Sequence, residues 1–297
     1  MSIYEEQLSR WAKAPSETEE GKCQVVVERV TNAINAEFGN KVRIFLQGSY
    51  KNRTNVRLDS DVDIVVCYQD VYFHSDAFIS DEEKKTFQTL RTPSDYHFSV
   101  FRSKIESILI NEFSSNELEI KEKCIKIKGN TYRVNADVVP AFVHRRLRTG
   151  YPNDSHTEGI EFRTSTDNIV ISFPEQHYDN GVQKNKDTSQ MYKPIVRILK
   201  NIRNELIDNG QITLKEMPSF VIECLVWNVL PHTHFLHNTY RDATKAVITQ
   251  IWNDMRDKEK ADKYAEVSDL HWLFHSDNNI TPQQAESFML KAWNVIG

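Results

Sequence analysis

The chain has 297 residues, of which 39% are hydrophobic and 27% charged, proportions that are ordinary for a globular protein. Its formal net charge of −5 argues against strong binding to duplex nucleic acid, which depends on many cationic contacts to phosphates. No apolar run approaches the roughly 20 residues that a membrane-spanning helix needs, so we expect no membrane partner.

The cysteines and the first residues bear on the cellular compartment. Cys23, Cys67, Cys124 and Cys224 are far apart and form no CxxC pair. This spacing is typical of reduced thiols rather than of a disulfide framework. The start, MSIYEEQLSRW, lacks the basic segment and the apolar segment of a secretory signal. We therefore expect a cytoplasmic protein.

The first part of the chain alternates between helix and strand patterns. Residues 16–38 carry apolar side chains at helical spacing, after a capping-box pattern that begins at Ser16. Residues 42–46 and 61–67 are predicted to be strands, separated by a polar connection rich in turn residues. Residues 69–95 are polar and acidic, and we predict a flexible insertion there.

The pattern continues with a predicted amphipathic helix over residues 97–113. Segments 124–128 and 132–139 are predicted strands on either side of a Gly-Asn pair, which favours a hairpin turn. Segments 159–163 and 169–173 predict a second hairpin.

After about residue 185 the pattern becomes helical. One helix is predicted around residues 195–206, and three more follow over 218–230, 240–257 and 282–295. Strands first and helices later predict an α+β fold with two domains. We place the first domain, with its N-terminal helix, at residues 1–184 and a helical lobe at 185–297.

Two carboxylates stand at the start of the strand predicted over 61–67. Because residues two apart on a strand point the same way, Asp61 and Asp63 should share one face. Adjacent carboxylates repel each other unless a cation neutralises both, and hard divalent cations with oxygen ligands do this well. Asp137 lies in a second apolar strand. If the two strands are neighbours, the three carboxylates can hold two metal ions.

The alternative interpretation of the Asp-x-Asp motif is a solvated charge pair, which is common in an acidic chain. Gly48 and Ser49, which follow the first strand, favour the metal site. Glycine lets the backbone approach a ligand closely, and exposed N–H groups at a turn or a helix start attract phosphate. The strand, the Gly-Ser turn, the Asp-x-Asp pair and the later strand aspartate are more specific together than any of them alone.

This combination resembles the polymerase-β-like nucleotidyltransferase superfamily. Three later stretches narrow the resemblance: GIEFRTSTDNIVISFPEQHYDNGVQKN, YKPIVRILKNIRNEL and PSFVIECLVWNVL. They look like the bacterial CD-NTases, which are the cGAS/DncV-like nucleotidyltransferases, and most like the CdnE group. The resemblance covers nearly the whole chain.

The resemblance implies an enzyme that uses two Mg²⁺ ions, for which Mn²⁺ can substitute, to join NTPs into a cyclic dinucleotide. Such products are second messengers in anti-phage (CBASS) signalling, where they switch on a co-encoded effector. The implied fold is a nucleotidyltransferase core with a mixed sheet over residues 1–184, and a helical lobe over 185–297 that closes the active-site cleft. We expect a monomer.

The resemblance also assigns roles to the carboxylates by matching position. Asp61 and Asp63 would bind both metal ions and the donor triphosphate. Asp137 would bind the second ion and help to deprotonate the attacking ribose hydroxyl.

Further positions would bind the nucleotide. Gln47 and Ser49 would cradle phosphates beside Gly48, and Lys200 and Ser219 would grip the triphosphate from the helical lobe. Lysine is a compact point charge suited to phosphate, although a solvated helix lysine is the simpler interpretation of Lys200. A helix cap is the simpler interpretation of Ser219.

Asn180 is the candidate for base recognition. The resemblance places it where CdnE-like enzymes read a nucleobase edge, and its amide offers both a donor and an acceptor, which suits a pyrimidine such as uracil. The alternative is a turn asparagine before Gly181.

Two other functions share these motifs. One is a nucleotidyltransferase that modifies an RNA, a drug or a protein; the chain shows no added basic RNA-binding module, which weakens the RNA version. The other is an inactive nucleotide-binding protein on the same scaffold. The intact trio of aspartates argues against it, because uncompensated carboxylates destabilise a protein that no longer binds metal.

Overall fold

The computed structural model describes residues 4–14, 17–56, 61–150, 152, 156–164, 166–231, 235–274 and 280–297. The chain forms two compact units, each built from more than one segment. The sheet unit comprises Ser16–Gln47 and Asp61–Pro174. The helical unit comprises Met1–Pro15, Gly48–Ser60 and Glu175–Gly297. The domain boundary between residues 184 and 185 stays a prediction.

A mixed sheet forms the centre of the sheet unit. In chain order its strands are β1 (Val42–Gln47), β2 (Val62–Ser75), β3 (Leu118–Ile120), β4 (Ile125–Ile127), β5 (Ala136–Leu147), β6 (His156–Arg163) and β7 (Ile169–Ser172). The spatial order is β1-β2-β5-β4-β3, and β6 pairs with both β5 and β7. Strands β2 and β5 are parallel, while the other pairs are antiparallel. The mixed sheet and the later helices confirm the predicted α+β class.

The α-helices complete both units. In chain order they are α1 (Glu5–Trp11), α2 (Glu17–Phe38), α3 (Gly48–Asn52), α4 (Asp81–Leu90), α5 (Phe98–Phe113), α6 (Pro174–Asp187), α7 (Tyr192–Asp208), α8 (Ser219–Trp227), α9 (Tyr240–Met255), α10 (Lys258–Ala261) and α11 (Pro282–Ile296). Short 3₁₀ helices span Gly39–Lys41 and Ser115–Glu117. Within the described ranges, no helix is both long and apolar enough to cross a bilayer.

One face of the sheet packs against helices α2 and α5. The ring of Phe101 lies 5.4 Å from that of Phe38 and 5.5 Å from that of Phe142, measured between centroids. Tyr68 of β2 joins this aromatic cluster, with its ring 5.4 Å from Phe101. Because side chains alternate along a strand, Asp63 points to the opposite face of the sheet.

Most predicted elements of the sheet unit are confirmed, with shifted ends. Helix α2 matches the prediction over 16–38, although Ser16, its predicted cap, lies outside the described residues. Both predicted hairpins are present as antiparallel pairs, β4 with β5 and β6 with β7. Strand β5 begins later than predicted and runs on to Leu147, because its second half pairs with β6.

The predicted flexible insertion over residues 69–95 is wrong. Strand β2 continues to Ser75, and helix α4 follows. The Ser80 side chain accepts a hydrogen bond from the Glu83 N–H, and the Glu83 carboxylate accepts one from the Ser80 N–H at 2.7 Å. This capping box was present in the sequence, but the acidic composition of the segment concealed it.

The helical unit has an apolar core that confirms the predicted helices. Ile195, Ile198, Leu199 and Ile202 of α7 are fully buried at the predicted helical spacing. The helices predicted over 218–230, 240–257 and 282–295 correspond to α8, α9 and α11. The helical pattern starts earlier than predicted, because α6 begins at Pro174 and runs to Asp187.

A buried polar network joins α6, α7 and α8 inside the helical unit. The Glu223 carboxylate pairs with the Lys200 ammonium, accepts a hydrogen bond from Thr54 Oγ1 at 2.6 Å and lies 3.2 Å from His177 Nε2. The side chains of Lys200 and Glu223 are only 3% and 4% exposed. Burial alone would raise the pKa of Glu223, but Lys200 and His177 outweigh it and hold that pKa well below its usual value.

Replacing Ser80 by Ala removes the hydroxyl that caps α4, and we expect a loss of about 1 kcal/mol in the local stability of this helix. Hydrogen–deuterium exchange of α4 amides should then accelerate roughly fivefold. Ser107→Ala, at an exposed position inside α5, is the matched control and should leave α4 unchanged. Equal α4 exchange in both variants would contradict the capped helix.

Replacing Glu223 by Gln leaves the Lys200 ammonium buried without its counter-charge. We expect the free energy of unfolding to fall by about 3–5 kcal/mol, as measured by urea denaturation. Glu205→Gln, at an exposed position of α7, is the matched control and should change it by less than about 0.5 kcal/mol. Lys200→Met combined with Glu223→Leu removes both charges and should recover most of the loss.

The effect of Glu223→Gln depends on pH. Because folding lowers the pKa of Glu223, its stabilising contribution is present above the unfolded value of 4.5 and is lost as the pH falls below it. The stability difference between wild type and Glu223→Gln should therefore shrink below about pH 4.5. A difference that grows on acidification would contradict this assignment.

Candidate active site

Four side chains form a row across four strands of the sheet unit. Gln47 of β1 is opposite Asp63 of β2, Asp63 is opposite Asp137 of β5, and Asp137 is opposite Lys126 of β4. Side chains directly opposite each other on neighbouring strands point to the same face. Asp61, two residues before Asp63, belongs to this face as well, and we call Asp61, Asp63 and Asp137 the carboxylate row. Strands β2 and β5 are therefore neighbours, as a shared site for three carboxylates requires.

Lys126 brings a positive charge among the three carboxylates. Its Nζ contacts Asp61 Oδ2 in an ion pair, with 18% of the Lys126 side chain and 33% of the Asp61 side chain exposed. The ammonium also lies in the field of Asp137. The sequence analysis missed this lysine, which alternates with apolar neighbours on β4; only the strand pairing shows that it faces the aspartates.

Asp137 has one carboxylate oxygen, Oδ1, in a buried position without a hydrogen bond among the described residues. Burial, and then the charge of Asp61, raise the pKa of Asp137. The Cys124 thiol is hydrogen-bonded to this carboxylate, and burial together with Asp137 raises the pKa of Cys124 to about 12. The thiol therefore remains protonated and acts as a donor.

These residues fit hard divalent cations. Carboxylate oxygens are the ligands that Mg²⁺ and Mn²⁺ prefer, and the unpartnered Asp137 Oδ1 is an atom that a cation would satisfy. Among the described residues no three His, Cys, Asp or Glu side chains already form a ligand group. Asp61 is paired with Lys126 instead.

Three other predicted residues lie together in the helical unit. Ser49 of α3, Lys200 of α7 and Ser219 at the start of α8 line a cavity of about 170 Å³. Lys200 is not a solvated helix lysine, because it is 2% exposed and paired with a carboxylate. Arg203 also lines this cavity. It follows Lys200 by three residues, and this spacing, which puts both on one helix face, was the signal that the sequence analysis overlooked.

Gly48 has a conformational role between β1 and α3. Its φ angle is +69°, in the left-handed region that favours glycine. The glycine lets the chain turn directly from Gln47 at the end of β1 into α3, which carries Ser49.

Asn180 lies inside helix α6, so the interpretation as a turn asparagine is wrong. Its side-chain Nδ2 donates a hydrogen bond to the Val267 carbonyl at 2.8 Å. This contact fixes the orientation of the amide. A role of Asn180 in base recognition stays a prediction.

Comparisons with known proteins agree with this geometry. Residues 179–297 match the family model of the cGAS/DncV-like nucleotidyltransferase C-terminal helical domain. The chain is 43% identical to the cyclic dipurine nucleotide synthase of Elizabethkingia meningoseptica, covering 100% of this chain and 99% of that protein. It is 33% identical to the cyclic dipyrimidine nucleotide synthase CdnE of Cecembia lonarensis, covering 98% and 97%.

A solved structure extends the likeness to the fold. The CdnE cyclic dinucleotide synthase of E. meningoseptica, determined with GTP and Apcpp, matches with a TM-score of 0.83 at 42% identity over 100% of both chains. The carboxylate row and the cation-lined cavity thus occur in a chain that is similar to these enzymes along its whole length. This protein belongs to the cGAS/DncV-like nucleotidyltransferases, in their CdnE group, and has their polymerase-β-like fold.

Proposed function

We propose that this enzyme is a divalent-cation-dependent synthase that joins two NTPs into a cyclic dinucleotide and releases pyrophosphate. The observation that carries the proposal is the register of β2 and β5, which sets Asp63 directly opposite Asp137. One buried oxygen of Asp137 has no hydrogen-bond partner in the part of the chain that the structure describes. Whole-length similarity to proteins named as cyclic dipurine and cyclic dipyrimidine nucleotide synthases supports the same conclusion.

Asp61, Asp63 and Asp137 would hold two Mg²⁺ ions, and Mn²⁺ would substitute. When bound, these ions supply positive charge that stabilises the developing charge on the phosphates and promotes ionisation of the attacking hydroxyl. Asp137 would help to take up the proton of the ribose hydroxyl, because its carboxylate lies directly opposite Asp63 on the face that would hold the ions. The hydroxyl oxygen then bonds to the α-phosphorus as the bond to pyrophosphate breaks.

The cavity of the helical unit is suited to bind the triphosphate. Lys200 supplies positive charge there, and Glu223 fixes its ammonium through a buried ion pair. Ser49 and Ser219 supply hydroxyl donors in this cavity. In the sheet unit, Gln47 would offer an amide donor to a phosphate beside Asp63. The same groups serve a second transfer, in which a hydroxyl of the linear product attacks the remaining α-phosphate and closes the ring.

The cellular role that we propose is second-messenger synthesis in CBASS anti-phage signalling, where the product would switch on an effector. Family membership is the support for this role. The four cysteines are buried and form no disulfide, which agrees with a reducing compartment such as the cytoplasm. The monomeric state stays a prediction.

The aspartates are expected to be essential for turnover but not for folding. Asp61→Asn combined with Asp63→Asn should abolish cyclic product, because the carboxylate row loses two of its charges. Asp70→Asn is the matched control: it is an exposed aspartate on the same strand, outside the carboxylate row, and should retain wild-type turnover. The measurement is mass spectrometry of products from all four NTPs with Mg²⁺.

The same reactions separate the competing functions. A phosphatase-resistant product formed without any added acceptor distinguishes a cyclic dinucleotide synthase from an enzyme that modifies RNA, a drug or a protein. Pyrophosphate release that depends on the metal distinguishes it from an inactive nucleotide-binding protein. Normal turnover by the double aspartate variant would overturn the proposed mechanism.

We further predict that the product contains a pyrimidine, because the amide of Asn180 could recognise a pyrimidine edge. If its amide reads a pyrimidine edge, Asn180→Ala should lower kcat/KM for UTP or CTP about tenfold, the worth of one hydrogen bond to a base, and spare the purine NTPs. Reactions with each radiolabelled NTP measure this. Product made from ATP and GTP alone, with UTP and CTP ignored, would make the prediction wrong.

A further inference from the structure

We propose that Lys126 is an internal counter-ion of the carboxylate row. Its ammonium pairs with the Asp61 carboxylate when metal is absent and competes with divalent cations for that carboxylate. Lys126 is thus a positioning residue that sets the metal affinity of the site. The inference rests on the proposed function, in which Asp61, Asp63 and Asp137 bind the metal.

The register of the sheet places Lys126 for this role. It lies on β4 directly opposite Asp137, so its side chain leaves the sheet on the carboxylate face. Its Nζ reaches past Asp137 to contact Asp61 Oδ2. Lys126 therefore spans the row that a metal ion would occupy, and its ammonium lies near two of the three carboxylates.

Electrostatics explains why a cation is needed there. Three carboxylates on one face of the sheet repel one another, and each ionised neighbour disfavours the charge of the next. The Lys126 ammonium offsets part of this charge at Asp61, and both Lys126 and Lys121 act on Asp137. Removing the Lys126 charge takes away the ion pair at Asp61 and increases the repulsion among the carboxylates of the metal-free site.

The exposure of the pair allows exchange. Both side chains are partly open to solvent, at 18% and 33%, whereas the Lys200–Glu223 pair is almost fully enclosed. A lysine has a long flexible stem, so its ammonium can leave Asp61 without a change of the backbone. Asp61 Oδ2 then becomes available as a ligand. The free energy of breaking the ion pair is subtracted from the free energy of metal binding.

The test is a titration of the nucleotide-free protein with Mn²⁺ alone, in which isothermal titration calorimetry measures the binding. Lys126→Met keeps the aliphatic stem and removes the charge, and we expect it to bind Mn²⁺ about tenfold more tightly than wild type. Lys126→Arg keeps the charge and should bind like wild type. Lys128→Met, at an exposed position on the same segment, changes the net charge equally and is the matched control.

A second readout is the melting temperature. In EDTA, Lys126→Met should melt about 2–4 °C below Lys128→Met, because its carboxylates lack their counter-ion, and saturating Mn²⁺ should close this gap. Lys126→Gln provides a second neutral variant if Lys126→Met does not fold. Unchanged or weaker Mn²⁺ affinity in the neutral variants would overturn the inference.

Asp63→Asn separates this inference from the proposed function. If wild type binds Mn²⁺ and Asp63→Asn does not, the carboxylate row is the metal site, and the Lys126 variants then decide the inference alone. If Asp63→Asn binds Mn²⁺ as wild type does, or if wild type binds none, the proposed metal site itself fails.

Discussion

Three like charges on one face of a sheet repel each other, and the protein must supply or bind positive charge to keep them there. Asp63 and Asp137 are held directly opposite each other by the parallel pairing of β2 and β5, and Asp61 precedes them on the same face. Lys126 supplies part of the compensating charge. Divalent cations bound to the same carboxylates would compensate this charge further, and the proposed metal binding and phosphoryl chemistry both depend on this arrangement.

The sheet makes this arrangement possible because one of its faces packs against helices while the other carries the carboxylates. Alternate residues of β2 and β5 pack against α2 and α5 through an aromatic cluster that includes Phe101 and Phe142. This packing fixes the strands, and therefore fixes the register of the residues between them. A slip of one residue would turn the aspartates into the helix-packed face, where their charges could not be compensated.

The two units use paired charges in different ways. In the helical unit, Lys200 and Glu223 are almost completely buried, and Thr54 and His177 also contact the Glu223 carboxylate. The pair therefore holds the Lys200 ammonium in one place. A pair of this kind is costly to break and is suited to positioning. In the sheet unit, the partly exposed contact between Lys126 and its carboxylate is suited to exchange with a bound cation.

The sequence by itself determined the elements whose pattern is local: the helical spacing of α2 and α7, the strands β1 and β2, the two hairpins and the Asp-x-Asp motif. It also identified Gly48, Ser49 and Asp137 as candidate site residues, because the first two form a turn after a strand and the third is a carboxylate in an apolar strand. It failed at residues 69–95, where composition concealed a capping box. Only the tertiary structure decided that Lys126 meets Asp61 and that Glu223 pairs with Lys200, because strand pairing and helix packing join residues that are far apart in the chain.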